Sequence, residues 1–157
     1  MTGGPAFLLL ALLACGLVAA AAMDWRSRII PNWLNAAIAL GALPFWLATR
    51  TPLWPDAAIH LAVAAAIFAL FALAFHFGMM GGGDVKMLAA LALWLPPLAA
   101  VQLIVIMSLA GGALTLAMVL RHRLSRAEGA LEIPYGIAIA FAGLWLLGEP
   151  FLNQFVR

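Results

Sequence analysis

The chain has 157 residues, 67% of them apolar and only 9% charged, with a formal net charge of +2. A soluble domain carries about 25% charged residues, so this chain lacks the polar surface to face water all round and fits the bilayer instead. One cysteine, Cys15, excludes an intramolecular disulfide and a cysteine zinc cluster, and no basic stripe with interleaved aromatics points to nucleic acid.

Apolar runs and their breakers predict six spans in chain order. The first covers about Pro5 to Met23 and holds Cys15, read as a small apolar residue facing lipid or a neighbouring helix. It ends in small residues, but Met1 to Pro5 lack the basic start of a cleaved signal, so it reads as a retained helix. The polar interval Asp24-Trp25-Arg26-Ser27-Arg28 follows. The second span runs from about Pro31 to Thr49, and the turn Arg50-Thr51-Pro52-Leu53-Trp54-Pro55 closes it. The third covers Asp56 to about Phe77, before a glycine-rich break from Gly78 to Gly83.

The fourth segment, Asp84 to Leu95, stops at Pro96-Pro97. A span needs about 20 residues, so this one is expected to be short, tilted or well covered by protein. A five-span topology with a re-entrant fourth segment competes. The fifth span covers about Leu98 to Leu120. The polar loop Arg121 to Glu132 precedes the last, which runs from near Pro134 to near Leu152. The expectation is one domain over residues 1–157, an all-α integral membrane bundle of about six transmembrane helices. Charge sets its orientation. With an external N-terminus, the internal side holds Arg26, Arg28, Lys86, Arg121, Arg123 and Arg126, and the external side Arg50 and Arg157. That is the positive-inside pattern, with both termini external and Asp24 and Asp84 together at the internal face.

An acid at membrane depth is costly and therefore a functional candidate. Of the six acids, Asp56 reads as a cap for the third span, Glu149 as interfacial, and Glu128 and Glu132 as solvated loop charge. Asp24 and Asp84 each join an apolar helix to an unusual local sequence. Two carboxyls at close range cannot both ionise easily, so they share a proton. The ionised one can take a proton from water while the other polarises a carbonyl, which is peptide hydrolysis without a Ser or Cys nucleophile. The alternative is that each Asp only marks a helix end. Gly81, Gly82 and Gly83 directly before Asp84 permit unusual backbone angles and the close approach of an extended chain. A different class, a small proton-coupled transporter or channel subunit, also uses intramembrane acids, but typically near mid-membrane.

Three motifs resemble those of the type IV prepilin peptidase family, aspartic peptidases of the Gly-x-Gly-Asp class. They are Asp24-Trp25-Arg26-Ser27-Arg28-Ile29-Ile30-Pro31-Asn32, Gly81-Gly82-Gly83-Asp84-Val85-Lys86 and Ile133-Pro134-Tyr135-Gly136. The resemblance implies that Asp24 and Asp84 are catalytic, with no metal and no cofactor. It implies that Gly81, Gly82, Gly83, Pro134, Tyr135 and Gly136 meet substrate. The substrate it implies is a pilin-like precursor, whose short basic leader is cut, typically after Gly, at the cytoplasmic face of the bacterial inner membrane. Larger relatives also N-methylate the new N-terminus with a segment carrying paired CxxC motifs. This chain has no such motif and resembles the short, peptidase-only form of Flp-type, tight-adherence pilus systems. The presenilin-like branch carries Tyr before its aspartate, where this chain has Met23.

Weaker readings complete the set. Lys86, two positions past Asp84, points away from it on a helix and fixes topology. Asn32 and Asn35 are placed to hydrogen-bond the Asp24 region. His60 and His76 are expected to meet other helices and His122 to be interfacial, none in a ligand spacing. Nothing in the sequence gives the oligomeric state.

Overall fold

The computed structural model describes residues 4–124 and 133–155, with backbone only from 150 onward. Six α-helices carry the chain among these residues: α1 Gly4–Ser27, α2 Asn32–Thr49, α3 Ala58–His76, α4 Gly82–Ala92, α5 Pro97–Leu124 and α6 Tyr135–Phe155. Leu and Ala runs favour helix throughout. Glu128, Glu132, Arg126 and Arg157 lie outside the described residues.

The first three helices end alike, on a residue in the left-handed region. Arg28 (φ 57°) ends α1, Arg50 (φ 56°) ends α2 and Gly78 (φ 69°) follows α3. Such residues let the chain turn back and satisfy the last free carbonyls. Arg28 N–H donates to the Asp24 carbonyl at 3.0 Å, and Thr51 N–H to the Trp46 carbonyl at 2.8 Å. Glycine usually supplies this conformation, so an arginine hid the end of α1 from sequence reading, whereas α2 ends at Thr49 as expected. As a result α1 runs past its expected end at Met23 and takes in Asp24, with Ser27 Oγ bonding back to the Met23 carbonyl at 2.8 Å. At the start of α3, by contrast, the expected Asp56 cap is not made: no side chain caps that end, and Asp56 is exposed.

Three segments are long and apolar enough to cross a membrane: α1, residues 53–76 comprising α3 and the turn before it, and α5. Their outer faces are apolar. Leu8, Leu12, Leu61, Leu70, Leu109 and Leu116 are all more than half exposed, a surface that water does not tolerate at this extent. Cys15 lies on the exposed face of α1, as expected.

The short α4 is the centre of the bundle. It packs against α2, α3, α5 and α6, and Met87, Leu88 and Leu91 are almost fully buried. Eleven residues extend about 16 Å, roughly half the hydrocarbon thickness. It is therefore short and covered by protein, as its length required. Close crossings depend on missing side chains: a Cβ on Gly143 of α6 would lie 2.9 Å from Leu17 Cδ1 of α1 and 3.4 Å from Leu91 Cδ1 of α4. Two indoles lock the far end. Trp46 Nε1 donates to the Leu93 carbonyl at 3.0 Å, and Trp94 Nε1 to the Ile38 carbonyl at 2.8 Å. His60 meets another helix, its ring centroid 5.7 Å from that of Trp46. His76 instead packs on its own neighbour Phe77.

Candidate active site

Asp24 and Asp84 are two of the three buried polar side chains of the described core, at 5% and 8% exposure; Asn35 is the third. They come from the last turn of α1 and the first turn of α4. The antiparallel α1 and α2 and the return of α3 bring the start of α4 back to the end of α1. The carboxyls are near enough for the Asp24 charge to act on Asp84, and Arg28 acts on Asp24 from the same end.

The start of α4 explains how Asp84 is held. Gly81 is the N-cap, in an extended conformation at φ −72° and ψ 143°. Asp84 is then the third helical residue, and its carboxyl turns back toward the Gly81 amide, half of a capping box. A Cβ on Gly81 would lie 3.0 Å from Asp84 Oδ2. The glycine run thus serves close approach; the left-handed backbone is used only at Gly78. Gly82 faces the Phe75 ring, with 3.3 Å to an added Cβ, and Gly83 faces Ile30, with 3.2 Å to its Cβ and carbonyl oxygen.

Asp24 lies against the start of α6. The amides of Gly136 and Ile137 face its carboxyl, where the positive end of a helix attracts an anion, although neither reaches hydrogen-bond geometry with Oδ2, which is buried and unpartnered. A Cβ on Gly136 would lie 2.8 Å from Asp24 Oδ2 and 2.7 Å from Ile30 Cδ1. Ile30, 5% exposed, therefore fills the space between Gly83 of α4 and Gly136 of α6. Pro134 is fully buried, and Tyr135 packs on Gly111 of α5, with 3.2 Å to an added Cβ.

All three sequence motifs therefore converge on one end of the bundle. The asparagines are placed differently from expectation. They serve the Asp84 helix rather than Asp24: Asn35 Nδ2 donates to the Gly83 carbonyl at 3.0 Å, and Lys86 Nζ donates to Asn32 Oδ1 at 2.7 Å. They sit in the first turn of α2, which starts beside α4 and runs along it. Lys86 is exposed and turned away from the buried Asp84, as the helical spacing required. Ile30 was the residue missed. Its only signal was its place in the Ile-Ile-Pro-Asn run, because an aliphatic side chain carries no chemical mark. No cluster of three potential metal ligands occurs among the described residues.

Residues 11–116, which include both aspartates, match the type IV leader peptidase family. The prepilin leader peptidase/N-methyltransferase of Dickeya chrysanthemi is 37% identical over 143 residues, covering 87% of this chain and 49% of that protein. The chain thus spans about half the length of this relative. No solved structure matches it.

Proposed function

The chain belongs to the type IV leader peptidase family, and from that premise we propose that it is an aspartic endopeptidase that removes short basic leaders from pilin-like precursors. The observation that carries the reading is the meeting of two buried carboxyls, Asp24 and Asp84, from helices far apart in the chain. The pair holds one proton. The ionised carboxylate takes a proton from a water molecule, whose oxygen adds to the scissile carbonyl. The protonated partner gives its proton to the carbonyl oxygen. The tetrahedral diol then collapses: the C–N bond breaks, the leaving nitrogen takes a proton from the pair, and one diol hydroxyl gives its proton back to the pair as it becomes the new C=O. One water is consumed and the pair ends with one proton, as it began. Gly136 and Gly81 keep space for the two carboxyls, and Ile30 sets the separation of the helices that carry them.

In this reading α1 to α6 lie in the bacterial inner membrane, with both termini external and the aspartates at the cytoplasmic face. The basic residues support that orientation. Arg26, Arg28 and Lys86 sit at the aspartate end, whereas Arg50 closes α2 at the other. The reading concerns cleavage alone: these 157 residues hold one cysteine and so no paired CxxC motifs. Asp24→Asn and Asp84→Asn each abolish leader removal from a co-expressed precursor, read as a mobility shift on a gel, while both variants still reach the membrane. Cleavage retained by either variant overturns the assignment.

A further inference from the structure

Arg28 stands at φ 57°, in the left-handed region that a residue with a Cβ disfavours. Strain of this kind collects at functional sites, where the surrounding contacts hold it. The backbone of Arg28 is pinned, since its N–H donates to the Asp24 carbonyl at 3.0 Å. The side chain is held as well. Its Cζ lies 5.6 Å from the centre of the Trp25 ring, within reach of a cation–π contact. A basic residue that only fixes topology or meets lipid phosphate carries its charge out to water, as exposed Arg26 does two positions earlier. Arg28 differs: its Nη1 is buried and makes no hydrogen bond. A cation turned away from water is screened less, and the charge of this one acts on Asp24, four residues back.

The two carboxyls therefore stand in unequal fields. Each meets the amides of a helix start, Asp24 those of Gly136 and Ile137 and Asp84 that of Gly81, so helix ends do not tell them apart. Formal charges do. Asp24 faces Arg28, whereas Asp84 faces the Asp24 carboxyl. The other described charges stand elsewhere. α2, which packs on α1, carries none between Asn32 and Thr49. On α6, Glu149 lies far from the helix start, and Tyr135 packs on Gly111. Lys86 of α4 is exposed and bound to Asn32, and His76 of α3 packs on Phe77. Arg121, His122 and Arg123 stand in the last turn of α5, which packs on α6.

Resting on the aspartic-peptidase reading, we propose that Arg28 is a positioning residue that keeps Asp24 as the ionised member of the pair and so assigns the two roles. Asp24 takes the proton from water, and Asp84 gives its own to the scissile carbonyl oxygen. When the diol collapses, Asp24 passes its proton to the leaving nitrogen and Asp84 takes one back from the diol hydroxyl. The pair returns to its starting form, with the negative charge again beside Arg28.

The test uses full-length protein in proteoliposomes and a synthetic polypeptide with a short basic leader, a glycine and an apolar helix of about 20 residues. Arg28→Gly removes the cation but suits the left-handed turn, so its melting midpoint is expected not to fall. The acid limb of a kcat/KM profile reports ionisation of the base in the free enzyme. In Arg28→Gly that limb is expected to move to higher pH by about one unit or more, the scale of a lost neighbouring charge. Arg28→Lys, which keeps the charge, is expected to undo most of that movement. A purely structural arginine would lower the rate at every pH and leave the limb in place. An unmoved limb in Arg28→Gly, or an equal movement in Arg28→Lys, overturns the proposal. A second reading needs no turnover. In Asp84→Asn protein, the infrared carboxyl band that disappears in the Asp24→Asn/Asp84→Asn double variant belongs to Asp24. It is expected to titrate at higher pH once Arg28→Gly is added, and a band that stays in place also overturns the proposal. Cleavage of the polypeptide by the Asp84→Asn protein would instead sink the aspartic reading itself, whatever Arg28 does.

Discussion

Gly136 leaves no room for a side chain beside Asp24: an added Cβ would stand 2.8 Å from its Oδ2. The same Cβ would meet Ile30 Cδ1 at 2.7 Å, and Ile30 is itself held against Gly83. The carboxyl must therefore give way. Gly136→Ala is expected to lower the cleavage rate by about 100-fold, the scale of an ångström's misplacement of a reacting group. Ala favours helix over Gly by about 0.5–1 kcal/mol, so thermal stability in detergent should not fall in parallel. A variant that unfolds early, or one with normal kcat, contradicts this account of the glycine.

The three glycines before Asp84 are not equivalent. A Cβ on Gly83 would press on the Ile30 carbonyl, which is backbone and cannot swing aside; one on Gly82 would press on the edge of the Phe75 ring, which can. Overpacking of an unyielding contact costs about 1–3 kcal/mol. Gly83→Ala is expected to lower both the melting midpoint and the activity, and Gly82→Ala to be much milder on both. Thermal melts of the two variants side by side decide this, and equal losses count against it.

The sequence marked this end of the bundle through residues with chemistry. Carboxyls are rare in apolar runs, so Asp24 and Asp84 stood out, and glycine runs and prolines punctuate a chain visibly. Helix existence was legible for the same reason, since uninterrupted Leu and Ala runs allow little else. Two things were not. The end of α1 was misplaced because Arg28, not glycine, takes the left-handed turn. The partners of Asn32 and Asn35 were misassigned because chain proximity pointed to Asp24. The fold instead lays α2 along α4, a relation between distant segments that no local pattern encodes.

Cys15 offers a check on the chemistry. It is exposed on α1, about 14 Å along the helix from Asp24, and the proposed reaction uses neither a thiol nor a metal. Cys15→Ser, maleimide treatment and chelators are each expected to leave the cleavage rate within about twofold, the range of a substitution far from any special feature. Leader removal followed over time in proteoliposomes checks this. Inactivation by any of the three argues for a different nucleophile or a metal.

At the opposite end of α4, Gly41 and Trp94 are matched to one another. The indole lies so close that a Cβ on Gly41 would be 2.8 Å from Cζ2, and the ring is fixed by its bond to the Ile38 carbonyl and by Phe45, 5.1 Å away between centroids. A fixed ring cannot yield as a chain tip does. Gly41→Ala is therefore expected to destabilise the protein by about 1–3 kcal/mol through overpacking, despite the helix preference of Ala. Trp94→Phe removes the indole's outer ring and opens space beside Gly41. In that background Gly41→Ala should become neutral or stabilising, because only the helix preference of about 0.5–1 kcal/mol remains. A double-mutant cycle on melting midpoints reads the change of sign directly. Additive losses would mean that the two residues do not touch, and that the far end of α4 is fixed by something other than its indoles.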